Sequence, residues 1–263
     1  MTKIKILSGW SNPGGSTVAF INLCNLFNEN GLDCTFYGPH EWHSTQCKGE
    51  PLGNCAVNEE DEILIAHFLK LPGRPEASRK VILSCHEKAV YPVKDVKQFW
   101  DEIVYVSDEQ RKWQGLHGDI IPNVMSPLKD SGVNPKGIAG VIGTIGPPKQ
   151  TRLSIDRAFD QGYSKVLLYG NIGDSSYYDS QIKPILSDKV IYMDHEFDKQ
   201  KMYDSVEAVF QTSVADYETY GLTKAECLLT NTLYYGTDNC DLDIEVWNNE
   251  KILNKWKDLL EIK

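Results

Sequence analysis

No stretch of the 263-residue chain comes near the roughly 20 consecutive apolar residues of a membrane-spanning helix. The opening residues, Met-Thr-Lys-Ile-Lys-Ile-Leu-Ser, are too few and too strand-like for a secretory leader. Cys-x-x-Cys pairs are missing. The seven cysteines (Cys24, Cys34, Cys47, Cys55, Cys85, Cys227 and Cys240) are odd in number, which fits reduced thiols better than a disulfide framework. Positive charge is in deficit: 27 Lys and Arg against 37 Asp and Glu leave a net charge of −10, with a pI near 5.1. That balance argues against bulk attraction to nucleic acid or anionic lipid. The Trp and Tyr residues are spread thinly and suggest no base-stacking platform. These absences predict a cytoplasmic globular protein with no transmembrane segment and no nucleic-acid partner.

Metal-ligand spacing is also wanting. His40, His43, Cys47 and Cys55 are ligand types that zinc accepts, but their spacing matches no standard finger, so no metal is expected there. The run Asp241-Leu242-Asp243 is an Asp-x-Asp, but it lies in the tail of the chain.

What is present is an alternation of short apolar runs and helical patterns. Strands are predicted at Lys3 to Leu7, Cys34 to Tyr37, Glu62 to His67, Lys80 to Cys85, Glu102 to Val106 and Asp119 to Ile121. Their Ile, Val and Leu content is that of strands buried on both faces, hence a parallel sheet. A first helix is predicted from Ser16 or Thr17 to Asn28, with Val18, Ile21, Asn22 and Leu26 setting its period and Gly31 ending it. The Pro-, Gly- and Asn-rich run from Asn123 to Gly137 reads as a linker. Beyond it the pattern restarts, with strands at Ile138 to Ile142, Lys165 to Tyr169, Val190 to Met193, Ala208 to Gln211 and Thr232 to Tyr235. Helices are predicted at about Thr151 to Gln161, Asp198 to Ser205, a segment containing Glu226, and Asn248 to Leu260. The expected organisation is an N-terminal domain over 1–126 and a second over 137–247. A terminal helix over 248–263 could pack back on the first. Two doubly wound units place a ligand in the cleft at their strand C-termini.

Two segments carry candidate chemistry. The loop from Gly9 to Thr17 has P-loop-like glycines, but Gly15 stands where the phosphate-binding lysine belongs. Nor does it hold the Gly-x-Gly-x-x-Gly fingerprint of dinucleotide binding, and a plain glycine turn between strand and helix remains open. Further along, seven residues separate Glu218 from Glu226, with Gly221 and Leu222 between them. A helix starting at Leu222 would put Glu226 in its second turn and Glu218 on the preceding loop. The N–H groups of Tyr220, Gly221 and Leu222 would then face an anion.

The Glu-x7-Glu pair resembles the motif of retaining glycosyltransferases, especially family 4 with its two-domain GT-B fold. Pro13-Gly14-Gly15-Ser16 is similar to the family's glycine-rich loop, and Ile120-Ile121-Pro122-Asn123-Val124 to its step into the linker. Asp101 to Ser107 resembles its strand ending in serine, and Tyr169-Gly170-Asn171 stands where it has Val-Gly-Asp-Gly. Val141-Ile142-Gly143, with Lys149 six residues after the glycine, is similar to its Gly-Arg-Leu…Lys stretch. There are departures: Thr144 occupies the place of the family's pyrophosphate-binding arginine, and Asp194-His195 replaces the glycine after the nucleotide-side strand. The chain is also short for the fold.

The resemblance implies transfer of a sugar from a nucleotide-diphosphate sugar, UDP- or GDP-linked, to an acceptor hydroxyl with retention and without a cofactor or metal. The acceptor (glycan, lipid or small molecule) is not readable. His86, Lys149 and Glu218 would be catalytic, with His86 favoured over His67 to face the donor sugar. Gly14, Gly15, Thr144, Lys149, Arg152, Gly170, Met193, Tyr220, Gly221, Leu222 and Glu226 would bind the donor, Glu226 at the ribose. Arg152 would share a helix face with Lys149 and supply the missing arginine's charge. The expected cleft is lined by Gly14, His86, Lys149 and Glu218. Two alternatives stand: a non-catalytic nucleotide-sugar- or partner-binding homologue, and a sugar-nucleotide epimerase or phosphorylase of the same architecture.

Overall fold

A computed structural model describes residues 2–9, 14–39, 45–56, 62–67, 78–86, 99–115, 117–133, 135–214, 220–236 and 248–262. The chain divides into two compact units. Unit 1 is Met1–Val124 with Asp243–Lys263, and unit 2 is Met125–Leu242.

Unit 1 is built on β1 (Lys3–Ser8), α1 (Gly15–Glu29), β2 (Asp33–Gly38), β3 (Gly49–Pro51), β4 (Glu62–His67), β5 (Lys80–Cys85), β6 (Glu102–Tyr105), α2 (Asp108–Gln114) and β7 (Asp119–Ile120). The strands form one sheet in the order β3-β2-β1-β4-β5-β6-β7, and every pairing is parallel. Burial on both faces explains the apolar run Ile63 to Ala66 of β4, which is flanked by Glu62 and His67, all six residues being buried. Its Glu62 is accommodated by an ion pair with the buried Lys5 of β1. The neighbours of β1 are β2 on one side and β4 on the other, so the winding reverses there.

Of the residues expected to set the period of α1, Ile21 is buried, while the main contact face is turned from the other three. Phe20, Leu23, Cys24 and Phe27 lie against Ile4, Ile6, Phe36 and Ile63, while Val18, Asn22 and Leu26 are only partly covered. The Asn22 amide instead donates to the Val124 carbonyl at 3.2 Å. Gly31 ends the helix region with φ 77°.

Unit 2 contains β8 (Ile138–Ile142), α3 (Thr151–Asp160), β9 (Lys165–Tyr169), the short α4 (Ser175–Tyr177), β10 (Val190–Tyr192), α5 (Lys199–Asp204), β11 (Ala208–Gln211), α6 (Leu222–Leu229) and β12 (Leu233–Gly236). Its sheet runs β10-β9-β8-β11-β12, again wholly parallel, with the reversal between β8 and β11. Ile155 and Ala158 of α3 pack on one face with Val141, Val166 and Leu168. Met202, Tyr203 and Cys227 cover the other with Leu167 and Val209.

The last helix, α7 (Asn249–Leu260), belongs to unit 1. It is capped by the Asn248 carboxamide, which accepts from the N–H groups of Glu250 (2.9 Å) and Lys251 (3.1 Å). Ile252, Leu253, Trp256 and Leu260 form its buried stripe, and Trp256 meets Phe27 of α1 edge-on. Among the described residues, no helix is long and apolar enough to cross a membrane.

Candidate active site

In open parallel sheets, ligands meet the C-terminal ends of strands where the winding reverses. Unit 2 has that point at β8 and β11. On leaving β8 the chain passes through Gly143 (φ 135°), and on leaving β9 it passes through Gly170 (φ 139°). A Cβ on Gly170 would stand 2.1 Å from the Gly143 carbonyl oxygen, so only glycine lets the two exits run together. Beyond them Ile145 and Ile172 form a parallel bridge, and the Thr144 hydroxyl donates to Asn171 Oδ1 at 3.3 Å.

A 3-10 turn, Pro147–Lys149, follows. The Lys149 side chain lies back over Gly143, its Cε 3.9 Å from where a Cβ there would be. The turn is tied to the exit of β11. The Val214 N–H donates to the Pro148 carbonyl (2.9 Å), the Thr212 hydroxyl to the Gln150 carbonyl (3.2 Å), and the Thr212 N–H to Ser154 Oγ (3.0 Å). A lysine is thus placed over an open stretch of backbone at the switch point.

Lys149 and Arg152 do not share a helix face, which corrects the expectation from their spacing. Gln150 between them takes left-handed geometry (φ 45°, ψ 42°) and α3 starts only at Thr151. Arg152 turns along α3 instead, where its Nε donates to both Asp156 carboxylate oxygens at 3.0 Å.

The exit of β10 carries Met193, which is exposed, and Asp194, which takes φ 62°. Asp194 adopts the backbone form that glycine favours, and its side chain supports it. Asp194 Oδ1 accepts from the His195 N–H at 2.8 Å. The Tyr192 hydroxyl lies 3.1 Å from the same oxygen and 3.0 Å from the Gly170 carbonyl. Burial, then its bond to Asp194, pushes the Tyr192 phenol up to about 12. His195 packs edge-on against Phe197, and burial lowers its imidazole pKa, with the nearby Lys199 charge adding to the effect.

After β11 the chain leads to α6. Gly221 is its N-cap at φ 74° and offers no side-chain acceptor to the first N–H groups of the helix. Tyr220 is buried just before it. Glu226 lies in the second turn, as the spacing predicts, but points into the unit and is only 2% exposed. Its carboxylate accepts from the Tyr203 hydroxyl at 2.7 Å and pairs with Lys199. Both partners come from α5, and the sequence reading missed them. Glu218 lies outside the described residues, as do His40, His43 and Pro13.

In unit 1 the switch point falls at β1 and β4. Gly14 is the N-cap of α1, its carbonyl accepting from the Val18 N–H at 3.1 Å, and Gly15 is exposed in the first turn. His67 and His86, at the ends of β4 and β5, are both buried and meet edge-on with ring centroids 5.3 Å apart. Ser8 Oγ is 3.2 Å from His67 Nδ1, and Ser84 Oγ is 3.2 Å from His86 Nε2. Phe20 packs on both rings. Among the described residues, no group of His, Cys, Asp and Glu is arranged to hold a metal ion.

No protein-family model matches the chain, and no curated protein sequence matches it. Solved structures do. A mutant of S. aureus TarM in complex with fondaparinux, alpha-GlcNAc-glycerol and UDP is similar at a TM-score of 0.75 and 10% identity, over 99% of this chain and 100% of that one. Anabaena HepE in complex with UDP and glucose gives 0.72 and 15%, over 91% and 82%. WaaG, a glycosyltransferase involved in lipopolysaccharide biosynthesis, gives 0.61 and 10%, over 98% and 90%. With its two parallel-sheet units, this chain has the GT-B fold of those glycosyltransferases.

Proposed function

We propose that this protein is a glycosyltransferase that moves a sugar from a UDP- or GDP-linked donor to an acceptor hydroxyl, with retention at the anomeric carbon. The observation that carries this reading is the switch point of unit 2, where the Lys149 side chain lies over backbone kept open by Gly143 and Gly170. The UDP held in the TarM and HepE structures of the same fold supports a nucleotide-linked donor.

The chemistry needs a place for the charge that grows on the departing diphosphate. Lys149 and the N–H groups at Tyr220 to Leu222 would take it, acting most strongly where charge develops. Thr144, standing where an arginine would add a second cation, would offer only a hydroxyl. Arg152 is engaged with Asp156 and would contribute less. Glu226 would accept hydrogen bonds from the ribose, Met193 would flank the nucleotide, and Glu218 would hold sugar hydroxyls near the reacting centre. From unit 1, His86 would meet the donor sugar, and Gly14 and Gly15 would let backbone approach the phosphates or the acceptor. With a fixed lysine in the leaving-group role, turnover is expected to survive a chelator. The leaving phosphate itself would take the acceptor proton, an internal-return route that accounts for retention.

A second reading, a nucleotide-sugar binder without turnover, is favoured by Thr144 and by the commitment of Glu226 to Lys199 and Tyr203. Two measurements separate them. Thermal-shift titration with UDP-, GDP- and ADP-sugars should reveal a stabilising donor, since a ligand at a hundred times its Kd adds about 2.7 kcal/mol. Release of nucleotide from that donor then marks an enzyme. Stabilisation without release would establish the binder, and neither response would overturn both.

A further inference from the structure

Lys149 stands between two backbone carbonyls that are both held by one segment. The Pro148 carbonyl accepts from the Val214 N–H at 2.9 Å, and the Gln150 carbonyl accepts from the Thr212 hydroxyl at 3.2 Å. Thr212 and Val214 lie just past β11, whereas the turn they hold, Pro147–Lys149, follows β8. The winding of unit 2 reverses between those two strands, so the bonds tie together the segments that flank the switch point. Behind the turn two hydroxyls form a chain. The Ser154 and Thr212 oxygens are 2.8 Å apart, the Thr212 N–H donates to Ser154 Oγ at 3.0 Å, and both side chains are fully buried. A carbonyl cannot donate, so the Thr212 proton goes to Gln150, and Ser154 supplies the proton between the two hydroxyls.

Gln150 is the residue that needs this support. Its φ of 45° and ψ of 42° are unfavourable for an L-residue, and its own side chain makes no capping bond among the described residues. Backbone of this kind persists where its surroundings over-determine it. Here the Thr212 hydroxyl and the Ser154 N–H, the latter at 3.1 Å, converge on the Gln150 carbonyl. The left-handed step directly follows Lys149 and separates it from α3, leaving its side chain over Gly143.

We propose that Thr212 and Ser154 are positioning residues for Lys149, their hydroxyls locking the turn that holds its ammonium at the exit of β8. The inference rests on the leaving-group role given to Lys149 above. Neither residue touches the substrate in this role, and both act through the lysine. Without the lock Gln150 can relax out of the left-handed region, and the lysine is no longer held over Gly143. A misplacement of about 1 Å at a reacting group can lower turnover roughly a hundredfold.

The test is a double-mutant cycle of Thr212→Val and Lys149→Ala in the full-length protein, read by nucleotide release from the stabilising donor. Valine keeps the shape of threonine and removes only the hydroxyl. The Gln150 carbonyl keeps the Ser154 N–H, and the Ser154 hydroxyl can turn to that same carbonyl four residues back. Thr212→Val alone is expected to lower kcat about tenfold or more while changing the donor KM less than about threefold. Thr212→Ser, which restores the hydroxyl, should recover most of the turnover. In the Lys149→Ala background the valine should cost nothing further, whereas a residue that merely holds the fold would lower turnover by the same factor in both. Equal factors in both backgrounds, no recovery in Thr212→Ser, or a Thr212→Val protein as fast as wild type would overturn the proposal and leave the glycosyl-transfer reading intact. A wild type that releases nucleotide from no donor would overturn that reading and the proposal with it. Ser154→Ala removes the other hydroxyl, should behave as Thr212→Val does, and takes its place in the cycle if the valine variant does not fold.

Discussion

The Tyr203 hydroxyl donates a 2.7 Å hydrogen bond to the Glu226 carboxylate, joining α5 to α6 between two side chains that are almost wholly buried. Burial first, and the adjacent Glu226 charge second, keep the Tyr203 phenol protonated well above its ordinary range, so it acts as the donor. Lys199 supplies the opposite charge. Tyr203→Phe removes one donor from a buried carboxylate and should lower unfolding free energy by about 1–3 kcal/mol. Chemical denaturation measures this, and an unchanged midpoint would mean that water replaces the hydroxyl.

The same carboxylate carries a binding prediction. If Glu226 also receives the ribose, Glu226→Ala should weaken nucleoside-diphosphate affinity by about 1.5–3 kcal/mol through loss of charge-assisted hydrogen bonds. Because the variant also leaves Lys199 without its partner, calorimetry belongs beside a melting curve. Stability lost with affinity kept would assign Glu226 to holding α5 against α6 alone.

How far these features were legible depends on whether their cause is local. The apolar run of β4 announces a strand buried on both faces, and the Leu222 start of α6 follows from Gly221 before it. The sequence reading missed α2, though its signals were present. Ser107 caps it, accepting from the Gln110 N–H at 3.2 Å, Gln110 Oε1 reaches back to the Val106 N–H at 3.0 Å, and Gly115 closes it at φ 68°. Burial of Glu226 was not legible, since the adjacent Ala225 and Cys227 project from other sides of the helix. Nor was its pairing with Lys199, since that contact depends on how α5 and α6 pack. The left-handed Gln150 that separates Lys149 from Arg152 carries no composition signal either, because glutamine does not favour that conformation.

Asp194 offers a test of backbone against side chain. Its φ of 62° costs most L-residues about 1–2 kcal/mol, and its carboxylate offsets part of that by accepting from the His195 N–H. Asp194→Ala should therefore destabilise the fold by about 1–2 kcal/mol, and Asp194→Gly by less, because it restores the permitted backbone. Equal losses would place the whole effect in the hydrogen bonds.

His195 sets a pH dependence. Burial lowers its folded-state pKa below the unfolded value near 6.5, so the folded protein binds fewer protons between the two. The stability associated with neutral His195 is complete above about pH 6.5 and is lost as pH falls through the folded pKa. Melting temperatures of His195→Gln should decline less steeply than wild type over that acid interval. Parallel curves would show that other groups set the slope.

Gly170 is where a single methyl should do the most damage. Its φ of 139° is barred to other residues, and a Cβ would sit 2.1 Å from the Gly143 carbonyl oxygen, which is backbone and cannot step aside. Strain of about 1–3 kcal/mol from the dihedral and as much again from the clash makes Gly170→Ala destabilising by about 2–5 kcal/mol. A melting temperature within a degree or two of wild type would mean that the exits of β8 and β9 can separate.

Lys149 carries the last prediction, which separates charge at the leaving group from general binding. It lies over Gly143 at the switch point, and the neighbouring Thr144 offers only a hydroxyl, which donates to Asn171 Oδ1. Arg152 is held by Asp156 on α3, beyond the left-handed Gln150. The charge that grows on the diphosphate should therefore fall chiefly to Lys149. A fixed cation acts most where charge develops during reaction, so the loss should appear in turnover more than in donor affinity. Lys149→Ala is expected to lower turnover roughly a hundredfold or more, about 2.7–4 kcal/mol by analogy with a deleted oxyanion donor. Arg152→Ala should cost less than tenfold, since its guanidinium already serves an intrahelical pair worth only about 0.3–0.5 kcal/mol to the fold. Nucleotide release from the stabilising donor measures both. Equal, small losses would remove Lys149 from the leaving-group role and favour the binder, in which no charge develops to be stabilised.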